Sequence, residues 1–368
     1  MSGVTFLLLS SAWLIIICYF ISLIKRKIIK KACMNKITTL GLAIAGIVSF
    51  PLSATASESD ISAYIIGGNQ VQTNPEELST VYIQAGTWEC TGSLIAKRWV
   101  LTAAHCIRTG PQNASLQTIP TEDIKIYAGV TGRSDFEPNN TYQAVEVIVH
   151  PDYLPEPLKN EDGSLDSKNN TKFAYDIALI AVSRDIDTAK IVSLPTEQEA
   201  FEIETALSEE DGKLLAQGWG RTATNNEGGS EVLMEVNLSY LPMSQCYFQS
   251  PGENWFSSPA DTLKMCTYEM DDLMGVCFGD SGGPLYYQSA AGETVQLGIT
   301  SFGQPPCGTD SPDVYTRVGA YDDWINNVIA EKTPIPKGNT DNGGGGGSVG
   351  AGLVMSLLAM GWLRRKRS

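Results

Sequence analysis

The chain has 368 residues, 43% apolar and only 18% charged, which is the composition of a folded globular protein and not of a disordered one. Its net charge of −15 conceals an asymmetry: no acid precedes Glu58 or follows Asp341, and the stretch between them holds all 41 acids against 16 of the 26 bases, a formal −25. A body that acidic repels phosphate backbones, so nucleic acid is excluded as a partner.

In chain order, residues 4–24 form an apolar run closed by Lys25-Arg26-Lys27. Residues 34–56 then have the form of a secretory signal peptide: a basic start at Met34-Asn35-Lys36, an apolar run over 37–52, and Ala54-Thr55-Ala56 as a small-x-small cleavage site. Residues 1–56 are therefore read as an N-terminal signal region, lost with Cys18 and Cys33, that leaves Ser57 as the new terminus. Either Met34 is the true start, or residues 4–24 are an additional membrane helix after Met1.

From 65 to 330 the pattern changes to short β-type runs, at 81–83, 99–101, 124–127, 145–149, 177–182 and 295–300, separated by turn residues. Runs of this length and spacing, with little helical periodicity and no internal repeat, predict a β-sandwich or β-barrel. Two polar stretches, 155–172 and about 197–212, read as long loops and candidate substrate contacts. The six cysteines of this body contain no CxxC and sit near no histidine cluster, which favours disulfides in an oxidising compartment over zinc and leaves the pairing open. After Trp324-Ile325-Asn326-Asn327-Val328-Ile329, a predicted last amphipathic helix, comes a Pro/Gly linker over 332–347 that ends in five glycines.

Three motifs carry chemistry: Leu101-Thr102-Ala103-Ala104-His105-Cys106, Asp176-Ile177-Ala178-Leu179-Ile180 and Gly279-Asp280-Ser281-Gly282-Gly283-Pro284. Taken singly, Ser281 among glycines is a turn and Asp176 a carboxylate ahead of a buried strand. Together, in the order His, Asp, Ser, they are a nucleophile, its base and the group that orients the base. An α/β-hydrolase would need the order Ser, Asp, His and a GxSxG elbow. His150, in Val149-His150-Pro151-Asp152, has no such motif around it and reads as a strand-end residue.

With Ile65-Ile66-Gly67-Gly68, Gly218-Trp219-Gly220 and Pro312-Asp313-Val314-Tyr315-Thr316-Arg317-Val318 added, the stretch from Ile65 to about 330 resembles the chymotrypsin/trypsin-like serine endopeptidases. The resemblance implies an all-β fold of two antiparallel six-stranded barrels, about 65–190 and 191–331, with a C-terminal helix. It implies His105, Asp176 and Ser281 as the triad, backbone N–H groups of Gly279 and Ser281 as the oxyanion hole, and disulfides Cys90–Cys106, Cys246–Cys266 and Cys277–Cys307. Leu214 stands where many relatives carry a further bridging cysteine. Residues 57–64 become an activation propeptide, and cleavage after Tyr64 would free the Ile65 amine to pair with Asp280. Tyr64 is neither Arg nor Lys, so the expected activating protease is one that cuts after aromatics, with this enzyme itself as one candidate. Gly275 and Val276 fall at the base of the specificity pocket, Ser301, Phe302 and Gly303 on the strand that receives substrate backbone, and Asp313 near the pocket floor. The run Gly275 to Ser281 resembles neutrophil elastase, whereas Asp313 with Gly275 and Gly303 resembles the broad-specificity brachyurins, which also accept basic residues. Asp135 and Glu137 lie near the loop where trypsins bind calcium, but Val130 replaces the first acidic ligand, so neither metal nor cofactor is expected.

The tail over 348–368 joins an apolar run, 349–363, to Arg364-Arg365-Lys366-Arg367. Such a helix spans roughly 22 Å, short of a ~30 Å hydrocarbon core. It is either a marginal anchor or a sorting tail, since glycines, a short apolar helix and a basic end resemble the GlyGly-CTERM signals that a rhomboid-type protease removes from Gram-negative bacterial secreted proteins. The expected product is a secreted or cell-surface endopeptidase acting on protein or peptide substrates. The alternative from another class is a surface-anchored binding protein on a protease scaffold.

Overall fold

The computed structural model describes residues 65–109, 116–156, 162, 172–210, 212–222, 228–246, 260–269, 274–309 and 311–333. The signal region, propeptide and tail, and most of the 155–172 stretch, lie outside the described residues. Among the described residues no helix is long and apolar enough to cross a membrane.

Six strands form the first barrel: β1 (Thr80–Ala85), β2 (Trp88–Ala96), β3 (Trp99–Thr102), β4 (Ile124–Tyr127), β5 (Thr141–Val149) and β6 (Ala178–Val182). They close in the order β1-β2-β3-β6-β5-β4, all neighbours antiparallel. The period of two is plain in β4, where Ile124 and Ile126 are buried and Lys125 between them is exposed. β6 is apolar throughout and buried throughout, in one cluster with Leu101 of the barrel and Ile325 of the C-terminal helix α2 (Asp322–Lys332). Burying Ile325 contributes about 1.5–3 kcal/mol to docking that helix.

The second barrel repeats the pattern with β7 (Lys213–Gly218), β8 (Met234–Leu241), β9 (Lys264–Thr267), β10 (Pro284–Gln288), β11 (Thr294–Phe302) and β12 (Asp313–Arg317). Its order is β7-β8-β9-β12-β11-β10, closed by β7 against β10, the same connectivity as the first, and the two-residue strand Asn69–Gln70 adds to the edge of β8. Polar side chains sew the barrels together, with Thr80 Oγ1 donating to Gln217 Oε1 (2.7 Å) and Ser93 Oγ to Gln296 Oε1 (2.5 Å).

One expectation is corrected. The polar stretch read as a loop over 197–212 is a helix, α1 (Glu197–Glu210). Its start is a reciprocal cap: the Glu199 N–H donates to Thr196 Oγ1 (3.3 Å), while Glu199 Oε2 accepts from the Thr196 N–H (2.9 Å). Ala200 and Leu207 turn inward, and Glu204 accepts from Arg317 (2.6 Å), so the helix braces the second barrel.

Candidate active site

His105 sits in a single 3-10 turn, Ala104–Cys106, immediately after β3, and the Cys90–Cys106 disulfide ties that turn to β2. Asp176 lies two residues before β6 in a turn where Phe173 and Tyr175 take φ of +50° and +54°, a left-handed backbone unfavourable for such side chains. What holds that turn is aromatic packing. Tyr175 stacks on His150 (5.0 Å, 14°), and His150 lies against Tyr321 (5.5 Å) and Trp324 (5.1 Å). His150 is thus a bracket between the end of β5, the Asp176 turn and α2.

The Asp176 carboxylate is fully buried and accepts from the His105 main-chain N–H (2.9 Å) and, through Oδ2, from His105 Nδ1 (2.8 Å) and Ser301 Oγ (2.6 Å). Burial pushes this carboxyl up, but the His105 imidazole, its hydrogen bond, the charge of Lys264 and the Ser301 hydroxyl outweigh burial and hold it below the ordinary range. An ionised acceptor on Nδ1 places the proton there and leaves Nε2 as a base.

Ser281 enters from the second barrel on the loop before β10. Its carbonyl accepts from the Thr91 N–H (2.9 Å) and lies 3.4 Å from Cys106 Sγ, which is 4.0 Å from His105 Nε2. One disulfide therefore touches both the serine loop and the imidazole. Around Ser281 the N–H groups of Asp280, Gly282 and Gly283 donate to main-chain carbonyls, whereas among the described residues those of Gly279 and Ser281 meet no protein acceptor. Gly279 has φ +102° and packs so close to Gly220 that an added Cβ would lie 2.8 Å from its Cα. Two free N–H groups beside a serine are the donors a developing oxyanion requires.

Asp313 lies where Gly275 and Gly303 leave room for it. A Cβ on Gly275 would stand 2.6 Å from Oδ2 and one on Gly303 2.9 Å from Oδ1, and Oδ2 accepts from the Val276 N–H (2.9 Å). Burial pushes this carboxyl up to about 8, the Val276 N–H opposing and the Asp280 charge adding. The Cys277–Cys307 disulfide ties this wall to the serine loop, and Cys246–Cys266 closes the third pair.

The Asp280 carboxylate packs against Gly218 and Gly220 and accepts from the N–H groups of Gly220 and Cys277 (both 2.8 Å). Burial pushes it up to about 7, and among the described residues no cationic side chain lies within ion-pair distance. Ile65 is fully buried in the second barrel's core, and Ile66 bridges to Gly275. Ile65 is still joined to the residue before it, so no amine faces Asp280 in this form.

Three groups at the site escape sequence reasoning. Ser301, read as a substrate contact, is also a partner of Asp176; Thr316 Oγ1 donates to the Asp176 main-chain carbonyl (2.9 Å); and Lys264 is buried behind both hydroxyls. The one signal in the sequence was a lysine inside the apolar run Leu263-Lys264-Met265-Cys266.

The site's composition agrees with the chain's relatives. It is 30% identical over 303 residues to chymotrypsin-like elastase family member 1 of Rattus norvegicus, covering 78% of this chain and 98% of that one. It is 31% identical to the Felis catus protein of the same name (78% and 98%) and 28% identical to thrombin-like enzyme CPI-enzyme 2 of Gloydius ussuriensis (81% and 96%). Residues 65–325, which span both barrels and every group described above, match the family profile described as Trypsin, and the chain accordingly belongs to the trypsin family of serine endopeptidases.

Proposed function

We propose that the protein is a secreted serine endopeptidase, made as a zymogen and activated by cleavage after Tyr64, with His105, Asp176 and Ser281 as its triad. The observation that carries this reading is the buried Asp176 bonded to His105 Nδ1 (2.8 Å), with the Ser281 carbonyl against the disulfide of the His105 turn and, among the described residues, the Gly279 and Ser281 N–H groups without a protein acceptor. In the reaction Ser281 Oγ attacks the scissile carbonyl while His105 Nε2 takes its proton, and Asp176 stabilises the imidazolium. The N–H groups of Gly279 and Ser281 hold the oxyanion. The intermediate collapses as His105 protonates the leaving amine, and water, activated by the same base, hydrolyses the acyl-enzyme. Three disulfides agree with export to an oxidising compartment. The test is labelling by a fluorophosphonate probe of protein cut after Tyr64. Labelling that persists after Ser281→Ala sinks the assignment of the nucleophile.

For specificity we propose a broad profile, in which apolar and aromatic residues are cut well and Arg or Lys are also accepted through Asp313. An uncharged guest needs nothing from that carboxylate, whereas a cationic one needs it ionised. Because burial raises Asp313 to about 8, kcat/KM for Arg and Lys substrates rises relative to apolar substrates as pH increases toward 8. The expected increase in that ratio is roughly fiftyfold between pH 6 and pH 8, as the ionised fraction goes from about one in a hundred to about one half. Asp313→Gly removes the basic component and spares the apolar one. Peptide-library profiles at the two pH values check both statements, and a native enzyme that never cuts after Arg or Lys makes Asp313 a structural carboxylate of an elastase-like pocket.

A further inference from the structure

Lys264 opens β9 with its side chain 1% exposed, and among the described residues it is the one buried lysine. Its Nζ lies 3.2 Å from Ser301 Oγ and 3.1 Å from Thr316 Oγ1, and 5.7 Å from the Phe302 ring centroid. Both hydroxyls have already committed their hydrogens, Ser301 to Asp176 Oδ2 and Thr316 to the Asp176 carbonyl. They can meet the ammonium only as acceptors, so each relays a proton-donating chain from Lys264 to Asp176. Among the described residues no carboxylate pairs with Nζ directly.

A buried ammonium held by two hydroxyls and an aromatic face, with no carboxylate against it, costs stability, and an apolar side chain of similar length would cost less. What the charge provides therefore has to be sought in the site it faces. We propose that Lys264 is a positioning residue for the reaction: it holds Ser301 and Thr316 onto Asp176 and, through its charge behind that carboxylate, sets how readily His105 accepts the serine proton. This rests on the triad reading above.

Among the described residues, Asp176 is its one charged correspondent. On β12, Asp313 is taken by the Val276 N–H and Arg317 by Glu204. On β8, Tyr240 donates to Glu204 (3.3 Å). Tyr153 and Tyr321 face Asp176 from the first barrel and from the approach to α2, and burial keeps both phenols neutral. Burial pushes Lys264 down to about 8, with Asp176 pulling it back up, so it is largely charged at neutral pH. A positive charge on that side of Asp176 disfavours an imidazolium on the other. Removing it lets His105 protonate more readily, and activity then fails at a higher pH.

The test compares the cut wild-type protein with K264M, on a peptide with an apolar residue before the scissile bond so that Asp313 does not enter the readout. The expected result is an acidic limb of kcat/KM moved upward by about half to one pH unit in K264M, with a melting temperature unchanged or raised. Superimposable pH profiles would overturn the proposal. Should K264M fold poorly, the same question is put to protein carrying only Ser281→Ala, by NMR titration of lysine Nζ and histidine nitrogens. A His105 resonance that follows deprotonation of Lys264 supports the relay, and one indifferent to it refutes the proposal. A wild-type protein that neither turns over peptide nor takes the fluorophosphonate probe sinks the triad reading instead, a result separate from either.

Discussion

Replacing Ser281 by alanine should lower turnover by a factor on the order of 10⁶, and the double variant with His105→Ala should be hardly worse than either single one. The reason is that, in the mechanism proposed, the groups act in one proton transfer. Without the base the hydroxyl is a poor nucleophile, and without the hydroxyl the base has nothing to activate. Asp176→Asn should cost on the order of 10⁴, the size of effect described for this family, because an amide cannot act as the ionised acceptor that keeps the proton on Nδ1. Here Asp176 also accepts from the His105 main-chain N–H and from Ser301, and an amide, with one accepting oxygen in place of two, cannot keep all three bonds. Single-turnover rates for the three single variants and the Ser281/His105 double variant decide the matter. Losses that multiply in the double variant would show two independent groups.

The second large effect is expected at the Tyr64–Ile65 bond. Protein beginning at Ser57 should be nearly inactive, and cleavage after Tyr64 should raise activity on the order of 10²–10³-fold, the worth of a buried ion pair completed where one partner had stood alone. Two features of the uncut chain support this. Burial pushes the Asp280 carboxyl up to about 7 against the opposing pull of two N–H donors, and among the described residues no cationic side chain lies within ion-pair distance. Ile65 has φ +36°, a left-handed backbone that is costly for a β-branched residue. Cutting the bond removes that torsion as a constraint and creates an amine on a residue already packed in the second barrel's core. Asp280→Asn should stay within about tenfold of the uncut form after a correct cut, since a neutral amide cannot complete the pair. N-terminal sequencing alongside the activity assay checks that Ile65 leads, and full activity of uncut protein would refute its role.

How much of this was legible in the sequence follows from the range of each signal. The strands at 81–83, 99–101, 124–127, 145–149, 177–182 and 295–300 stand out because side-chain alternation and β-branched runs are local. The motifs around His105, Asp176 and Ser281 stand out because each chemical group carries its own turn with it. The helix at Glu197–Glu210 is hard to read locally although Thr196-Glu197-Gln198-Glu199 contains its cap, because its composition is polar and only two of its side chains, Ala200 and Leu207, are buried.

By itself, then, the sequence determined the β class, the order of the chemistry and the family. Tertiary structure alone decided that the two halves share one strand order despite showing no repeat, because closure depends on pairings between distant strands that leave no periodic trace. It alone turned an unremarked lysine into the far end of a chain reaching Asp176. Lys264 and Thr316 belong to the second barrel, Asp176 to the first, and whether an ammonium faces water or a carboxylate is settled only when the barrels meet.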